Sequence, residues 1–342
     1  MPRVTIGVPC FCNAKTIART IASIKSQSFS DFRVVISDDH SEDETHEICR
    51  TEAEKDQRFH VVQQKQRLGF LNFGELLKTV DTPYFVWLAG DDWWEAEFLE
   101  YTIDALEEHP SAVSALPNCA FVGPTKAKKK PTNHAILGTW RQRAASFLAD
   151  TNGSRMYGLH RTRALQRAFP TKTMNAYDWY LMLGMLKQGP QIAVNETLMN
   201  RERTDWRYYS RLVYELYPPG LFRTYPLLDM TLSAIKAGFV PPAPSVLRRL
   251  YRLNIEKRDE CAAVMTPELF FRNLVGKRRV HFSENQSELF AFLAHEALTS
   301  KTNALSCREA AFTALGWLAL SGNTFAKERV CQYISEDKNK SP

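Results

Sequence analysis

The sequence predicts an α/β protein, with a mostly parallel sheet flanked by helices and followed by an α-helical C-terminal domain. Three observations carry that expectation. Short β-branched runs alternate with helix-spaced segments through the first half of the chain. Beyond about Trp206 the strand-like runs stop and amphipathic helical pieces take over. Two pairs of carboxylates, Asp38-Asp39 and Asp91-Asp92, close two of the runs, at the strand ends where an open parallel sheet gathers its ligand-binding loops.

The elements follow in order. "RVTIGV" is a first strand, and "AKTIARTIASIKSQ" then sets Ile17, Ile21 and Ile24 at helical spacing. "FRVVIS" is a second strand, followed by the helix "SEDETHEICRTEAEK" with Ser41 and Asp43 at capping positions. "FHVVQ", a helix from Leu71 to Val80, the strand "YFVWLA", a helix from about Glu95 to Glu108 and the strand "AVSALPN" continue the alternation. "GPTKAKKKPTNHAILG" carries Pro124, Pro131 and clustered lysines and reads as a basic loop. A helix, the segment "RMYGLHRTRALQRAF" and a helix bearing Asp178 lead to a last short strand, "QIAVNE". The expected domains are therefore 1–205 and 206–342.

Composition narrows the function. With 342 residues and 44% hydrophobic content the chain can bury a sizeable core. A net charge of +6 suits an anionic substrate or an acidic membrane surface and falls short of a nucleic-acid-binding signature. Seven cysteines at unrepeated spacings lack the paired units of a zinc site and read as reduced core residues of a cytoplasmic protein. The N-terminus enters a strand directly, and the apolar run "AAFTALGWLAL" is too short to span a bilayer. The expectation is a cytoplasmic protein. Its helical domain is open to three uses: covering an acceptor groove, forming a homo-oligomer, or resting on the inner face of a membrane.

Two adjacent carboxylates at the rim of a core repel and lose hydration, so something must compensate them. Neither GxxxxGK[ST] nor GxGxxG follows the first strand, which weakens the P-loop and dinucleotide readings. Without a glycine cradle a diphosphate needs another source of positive charge. A divalent cation held by carboxylates supplies it, because Mg²⁺ and Mn²⁺ prefer oxygen ligands and bridge phosphates. Taken singly, each acidic pair has a plainer explanation in helix capping. Trp93 is a candidate for stacking on a sugar ring, against a plainer role in packing. Arg201 and Arg203, after the last strand, are candidates for stabilising a departing diphosphate, against surface pairing with Glu202 or Asp205.

The stretch from Val4 to Thr45, with its Pro9–Asn13 turn and "DDHSEDET", resembles the opening of a family 2 glycosyltransferase of the GT-A fold. The likeness continues through a DxD-type motif after the strand at Tyr84, and through Asp178 ahead of Leu181 and "LKQG"; it covers roughly residues 3–205. The resemblance implies an inverting, metal-dependent transferase that moves a sugar from a nucleoside-diphosphate sugar, foremost a UDP-sugar, to a saccharide or lipid-linked acceptor in bacterial surface polysaccharide or glycoconjugate synthesis. It implies Mn²⁺ or Mg²⁺ on Asp91 and Asp92, nucleotide contacts at Pro9, Asp39 and Asp91, a catalytic base at Asp178, and His160 on the acceptor side with Trp93. The family's usual D-x-D-D reads here Ala89-Gly90-Asp91-Asp92, and Tyr177 replaces the glutamate that commonly precedes the base. The alternative is a non-catalytic sugar- or partner-binding module on a degenerate scaffold, which the alanine at position 89 favours and the retained aspartates oppose.

Overall fold

A computed structural model describes residues 2–122, 133–202, 208–265, 284–299, 305–320 and 323–338. The lysines of the basic loop, together with Arg203, lie outside the described residues. The chain forms two compact units, one of Met1–Thr204 with Asp229–Leu250, the other of Asp205–Leu228 with Tyr251–Pro342.

The first unit is built on one sheet. Its strands are β1 (Val4–Cys10), β2 (Phe32–Asp38), β3 (Phe59–Gln63), β4 (Tyr84–Trp87), β5 (Trp93–Trp94), β6 (Ser114–Val122), β7 (Leu159–Arg161) and β8 (Gln191–Glu202), in the spatial order β3-β2-β1-β4-β7-β6-β8-β5. β3, β2, β1 and β4 run parallel, with Val4 opposite both Phe32 and Tyr84. Every residue of β1 and β4 is buried, as expected of central strands covered on both faces. Ile17, Ile21 and Ile24 of helix α1 (Ile17–Lys25) are buried as their spacing predicts. Helix α2 (Thr45–Ala53) packs on β2 and β3, and α3 (Leu71–Lys78) on β1 and β2. Helix α4 (Phe98–Glu108) packs on β6, β7 and β8. Phe85, Trp87 and Phe98 are fully enclosed, each contributing about 1.5–3 kcal/mol or more by burial.

The sheet is mostly parallel, with short antiparallel strands that make it mixed. β7 runs antiparallel to β4 and β6, and β5 antiparallel to β8. These strands hold three and two residues, too few to show a period of two in sequence. β8 is longer than "QIAVNE", because its second half continues beside β6 as far as Glu202. Pro117 is tolerated inside β6 because β7 pairs only with Ser114 and Ala115, and the register with β8 shifts immediately after it.

Three further helices, α5 (Trp140–Ala149), α6 (Thr162–Ala168) and α7 (Tyr177–Gln188), complete the run before Thr204. α5 opens on a capping box of Thr139 and Gln142, and a 3-10 turn over Gly153–Tyr157 precedes β7. The chain then passes through α8 (Tyr208–Leu216) and α9 (Leu221–Thr224) of the second unit and returns to the first for α10 (Leu228–Lys236) and the start of α11 (Pro244–Met265). The returning stretch is anchored within the first unit by Lys172 on Asp229 at 2.5 Å, Phe239 against Tyr180, and Arg249 Nε donating to the Leu148 carbonyl at 2.9 Å. In the second unit α12 (Glu284–Thr299), α13 (Leu305–Leu320) and α14 (Thr324–Lys338) pack around Phe290, Ala294, Leu315 and Leu318. No helix among the described residues is long and apolar enough to cross a membrane.

Candidate active site

The end of β1 ties two acidic loops together. Its Pro9 carbonyl accepts the Gly90 N–H at 3.1 Å, and its Cys10 carbonyl accepts the Asp39 N–H at 2.9 Å. Gly90 is required there: a Cβ would lie 2.7 Å from Asn13 Oδ1 and 2.8 Å from Cys10 Cβ. The first turns of α1 clamp the second loop. Thr16 and Thr20 hydroxyls donate to the Gly90 carbonyl at 2.8 and 3.1 Å, and Thr20 donates also to the Asp92 carbonyl at 2.7 Å.

The first acidic pair divides its work. Asp38 is sealed in the protein and accepts from Ser41 and from Gln63 Nε2. Asp39 accepts the backbone N–H groups of Leu68 and Gly69 at 2.7 and 2.8 Å, fixing the loop before α3, in which Gly69 has φ +59°. Arg67 of that loop lies over the Phe11 ring at 4.1 Å. Asp43, expected as a helix cap, accepts the N–H of Thr45 at the start of α2 on Oδ1 at 3.1 Å. It also holds the β1–α1 loop by accepting the Ala14 N–H on Oδ2 at 3.2 Å, while Ser41 Oγ accepts the Cys12 N–H at 2.9 Å. A carboxylate before a helix has two oxygens, so it can serve the helix start with one and a neighbouring loop N–H with the other. Among the described residues the non-glycine residues at positive φ are Cys12, His40 and Ala176, each in or beside a loop of this site.

The second pair sits on a buried cation. Asp92 is 1% exposed, accepting Arg201 Nε at 3.0 Å on one oxygen and the Glu202 N–H at 3.1 Å on the other. Burial pushes its carboxyl up to about 6; the Arg201 charge opposes that rise and the Asp91 charge adds to it. Burial also raises Asp91, with Arg201 again opposing. Burial works against the Arg201 charge, but the Asp92 carboxylate bonded to it favours the charged form, and the guanidinium stays protonated. Arg201 further donates to Ser154 Oγ at 3.3 Å and lies over the Tyr157 ring at 4.3 Å. Outside this core, Arg19 donates to the Asp91 carbonyl at 2.8 Å and to Glu202 at 3.0 Å, and covers the Trp93 ring at 3.7 Å, so the Trp93 face is occupied by a guanidinium. Trp94 packs inward on Phe98.

Asp178 lies in the first turn of α7, where the helix dipole favours a carboxylate. It is adjacent to Gly153: a Cβ added there would lie 2.5 Å from Asp178 Oδ2. The turn Gly153–Tyr157 therefore touches Asp178 at its first residue and Arg201 at Ser154 and Tyr157. Tyr177, one residue before Asp178, stacks on Phe70, one residue after Gly69, with ring centroids 3.6 Å apart. His160 is fully buried, bonded to Ser114 Oγ at 2.7 Å and the Met156 carbonyl at 3.0 Å, which places it in the packing behind the site rather than on its surface. Burial depresses its pKa to about 4. Nothing in the sequence singles out Arg19, Gly153, Ser154 or Tyr157; the closely spaced glycines of "GSRMYG" are the one local hint of a tight approach.

Among the described residues no group of three His, Cys, Asp or Glu side chains forms a ready metal cage. The donor set nonetheless fits a hard divalent ion that takes most of its ligands from a diphosphate. Asp91 is a partly desolvated carboxyl with no other side chain bonded to it among the described residues, while Asp92 is committed to Arg201.

Residues 5–173 match the model of Glycosyl transferase family 2. This stretch is a glycosyltransferase family 2 domain. This chain is also similar to a protein named as a putative teichuronic acid biosynthesis glycosyltransferase, TuaG of Bacillus subtilis (strain 168). The two are 28% identical over 114 residues, 33% of this chain and 45% of that protein, so the match spans less than half of the relative. Among solved structures, S. aureus TarS 1-349 in complex with UDP-GlcNAc superposes with a TM-score of 0.56 at 13% identity, over 98% of this chain and 92% of that one. The mannosyltransferase PcManGT from Pyrobaculum calidifontis, in complex with GDP-Man and Mn²⁺, gives 0.54 at 16% identity, over 99% and 88%. Both likenesses establish the GT-A fold for this glycosyltransferase.

Proposed function

We propose that this glycosyltransferase moves a sugar from a nucleoside-diphosphate sugar to a hydroxyl acceptor with inversion, in the synthesis of a cell-surface polysaccharide or glycoconjugate. The supporting observation is the convergence of three acidic positions on one end of the sheet. Asp39 and Gly90 are both bonded to the last residues of β1, and Asp91, Asp92 and Asp178 all act electrostatically on Tyr157. Pro9 and Asp39 hold the nucleotide, with the Asp39 loop buttressed by Leu68 and Gly69. The donors bound by the TarS and PcManGT structures favour a UDP- or GDP-sugar. TuaG favours an acceptor in an envelope polymer.

In the transfer the acceptor hydroxyl attacks the anomeric carbon and Asp178 takes its proton, while the nucleoside diphosphate leaves from the opposite face. Arg201, held charged against Asp92, presents positive potential to the departing diphosphate from within the protein. Asp91 would hold Mn²⁺ or Mg²⁺, which when bound neutralises charge on the diphosphate oxygens.

Titration calorimetry with UDP or GDP, with and without Mn²⁺, tests the donor site. Metal-dependent binding that Asp91→Ala weakens at least tenfold is expected, and equal binding by both proteins would refute it. Asp178→Asn should keep that binding and lose transfer; full activity in that variant would remove Asp178 as the base.

A further inference from the structure

The turn Gly153–Tyr157 bridges the two halves of the proposed reaction. At one end it borders the Asp178 carboxylate, and at the other it lies against Arg201, which holds Asp92. A transferred sugar must occupy the space between these halves, because its anomeric carbon is bonded to the diphosphate on one side and attacked by the acceptor oxygen on the other. Tyr157 is the aromatic residue of this turn, with its ring against the Arg201 guanidinium at 4.3 Å. It is 8% exposed, yet its hydroxyl has no hydrogen-bond partner among the described residues and is not one of the fully sealed unsatisfied atoms of the fold. The charges of Arg201, Asp92, Asp91 and Asp178 all act on that oxygen. A buried phenol rarely goes without a partner, so an unpaired one facing a site is a group kept for a ligand.

We infer that the Tyr157 hydroxyl hydrogen-bonds the sugar carried by the donor and so helps select which sugar is transferred. Burial keeps the phenol protonated, leaving its O–H able to donate and its oxygen able to accept. The inference rests on the donor site proposed above.

Tyr157→Phe removes the oxygen and keeps the ring beneath Arg201. Affinities of wild type and Y157F are compared for UDP and UDP-GlcNAc, and for GDP and GDP-mannose, with thermal midpoints confirming that both proteins are folded. The expected result is a roughly tenfold loss of affinity for the sugar nucleotide with the matching diphosphate unchanged. Equal affinity of the two proteins for the sugar nucleotide overturns the assignment. So does an equal loss for both ligands, which would place the hydroxyl on phosphate. Wild type that binds none of the four ligands defeats the donor site itself, and the role of Tyr157 falls with it.

Discussion

Replacing Arg201 with methionine keeps most of the side-chain volume and deletes the charge on which Asp92 depends. In the intact protein Asp92 is buried and its pKa is raised from 3.8 to about 6. The unfolded chain ionises this group near 3.8 while the folded chain holds the proton to about 6. Its contribution to stability is therefore intact below the lower value, falls as pH rises between the two, and stays flat above. Two units correspond to about 3 kcal/mol set against the fold at neutral pH. Arg201 is what keeps that figure from growing. Without it, a carboxylate forced to stay ionised costs about 3–5 kcal/mol, and the group will instead hold its proton to higher pH. Urea denaturation in EDTA should show R201M losing about 3–5 kcal/mol at pH 8 and about 1–2 kcal/mol at pH 5, where Asp92 is already largely neutral. Adding Asp92→Asn should recover much of the loss at pH 8 and little at pH 5. A loss of the same size at both pH values, or a second substitution that adds to the first, would refute the buried-pair account.

Other expectations follow from the same geometry. His160 is held neutral by burial with a pKa near 4, so it supports the fold fully above about pH 6.5 and less as pH falls toward 4. Its share is about 3 kcal/mol, and His160→Gln should flatten the pH dependence of denaturation between pH 7 and 4.5. Gly153→Ala places a methyl against the Asp178 carboxylate and should lower turnover roughly 10- to 100-fold while nucleotide affinity, read by calorimetry, stays unchanged. Phe290→Ala, in the core of the second unit, should cost about 3–5 kcal/mol, with hydrogen exchange accelerated in α12 and α13.

The parallel half of the sheet was readable because β-branched runs and helix-spaced isoleucines report burial directly, as at Val4–Val8 and Ile17–Ile24. The positions of Asp39, Asp91 and Asp178 at strand and helix ends were readable too, since the alternation of elements places those ends on one side. Partnership was not. Ser41 and Asp43 look like caps because a side-chain oxygen before a helix usually is one; only folding shows that the Cys12 and Ala14 N–H groups of another loop bond to them as well. Arg201 could be marked as a candidate, yet its pairing with Asp92 joins positions far apart in the chain, and no local pattern encodes that. Tyr157 escaped notice because a five-residue 3-10 turn has no period to detect.

The path of the backbone sets a limit on dissection. It leaves the first unit after Thr204, comes back for Asp229–Leu250, and leaves again. A fragment ended near residue 205 would lack Met230 and Ala234, both enclosed in the intact chain, and the Asp229 carboxylate that Lys172 engages. On the ribosome, too, the first unit cannot acquire its last helical segment until some fifty residues beyond its final strand have emerged, so early and late segments must meet across an intervening stretch that belongs elsewhere.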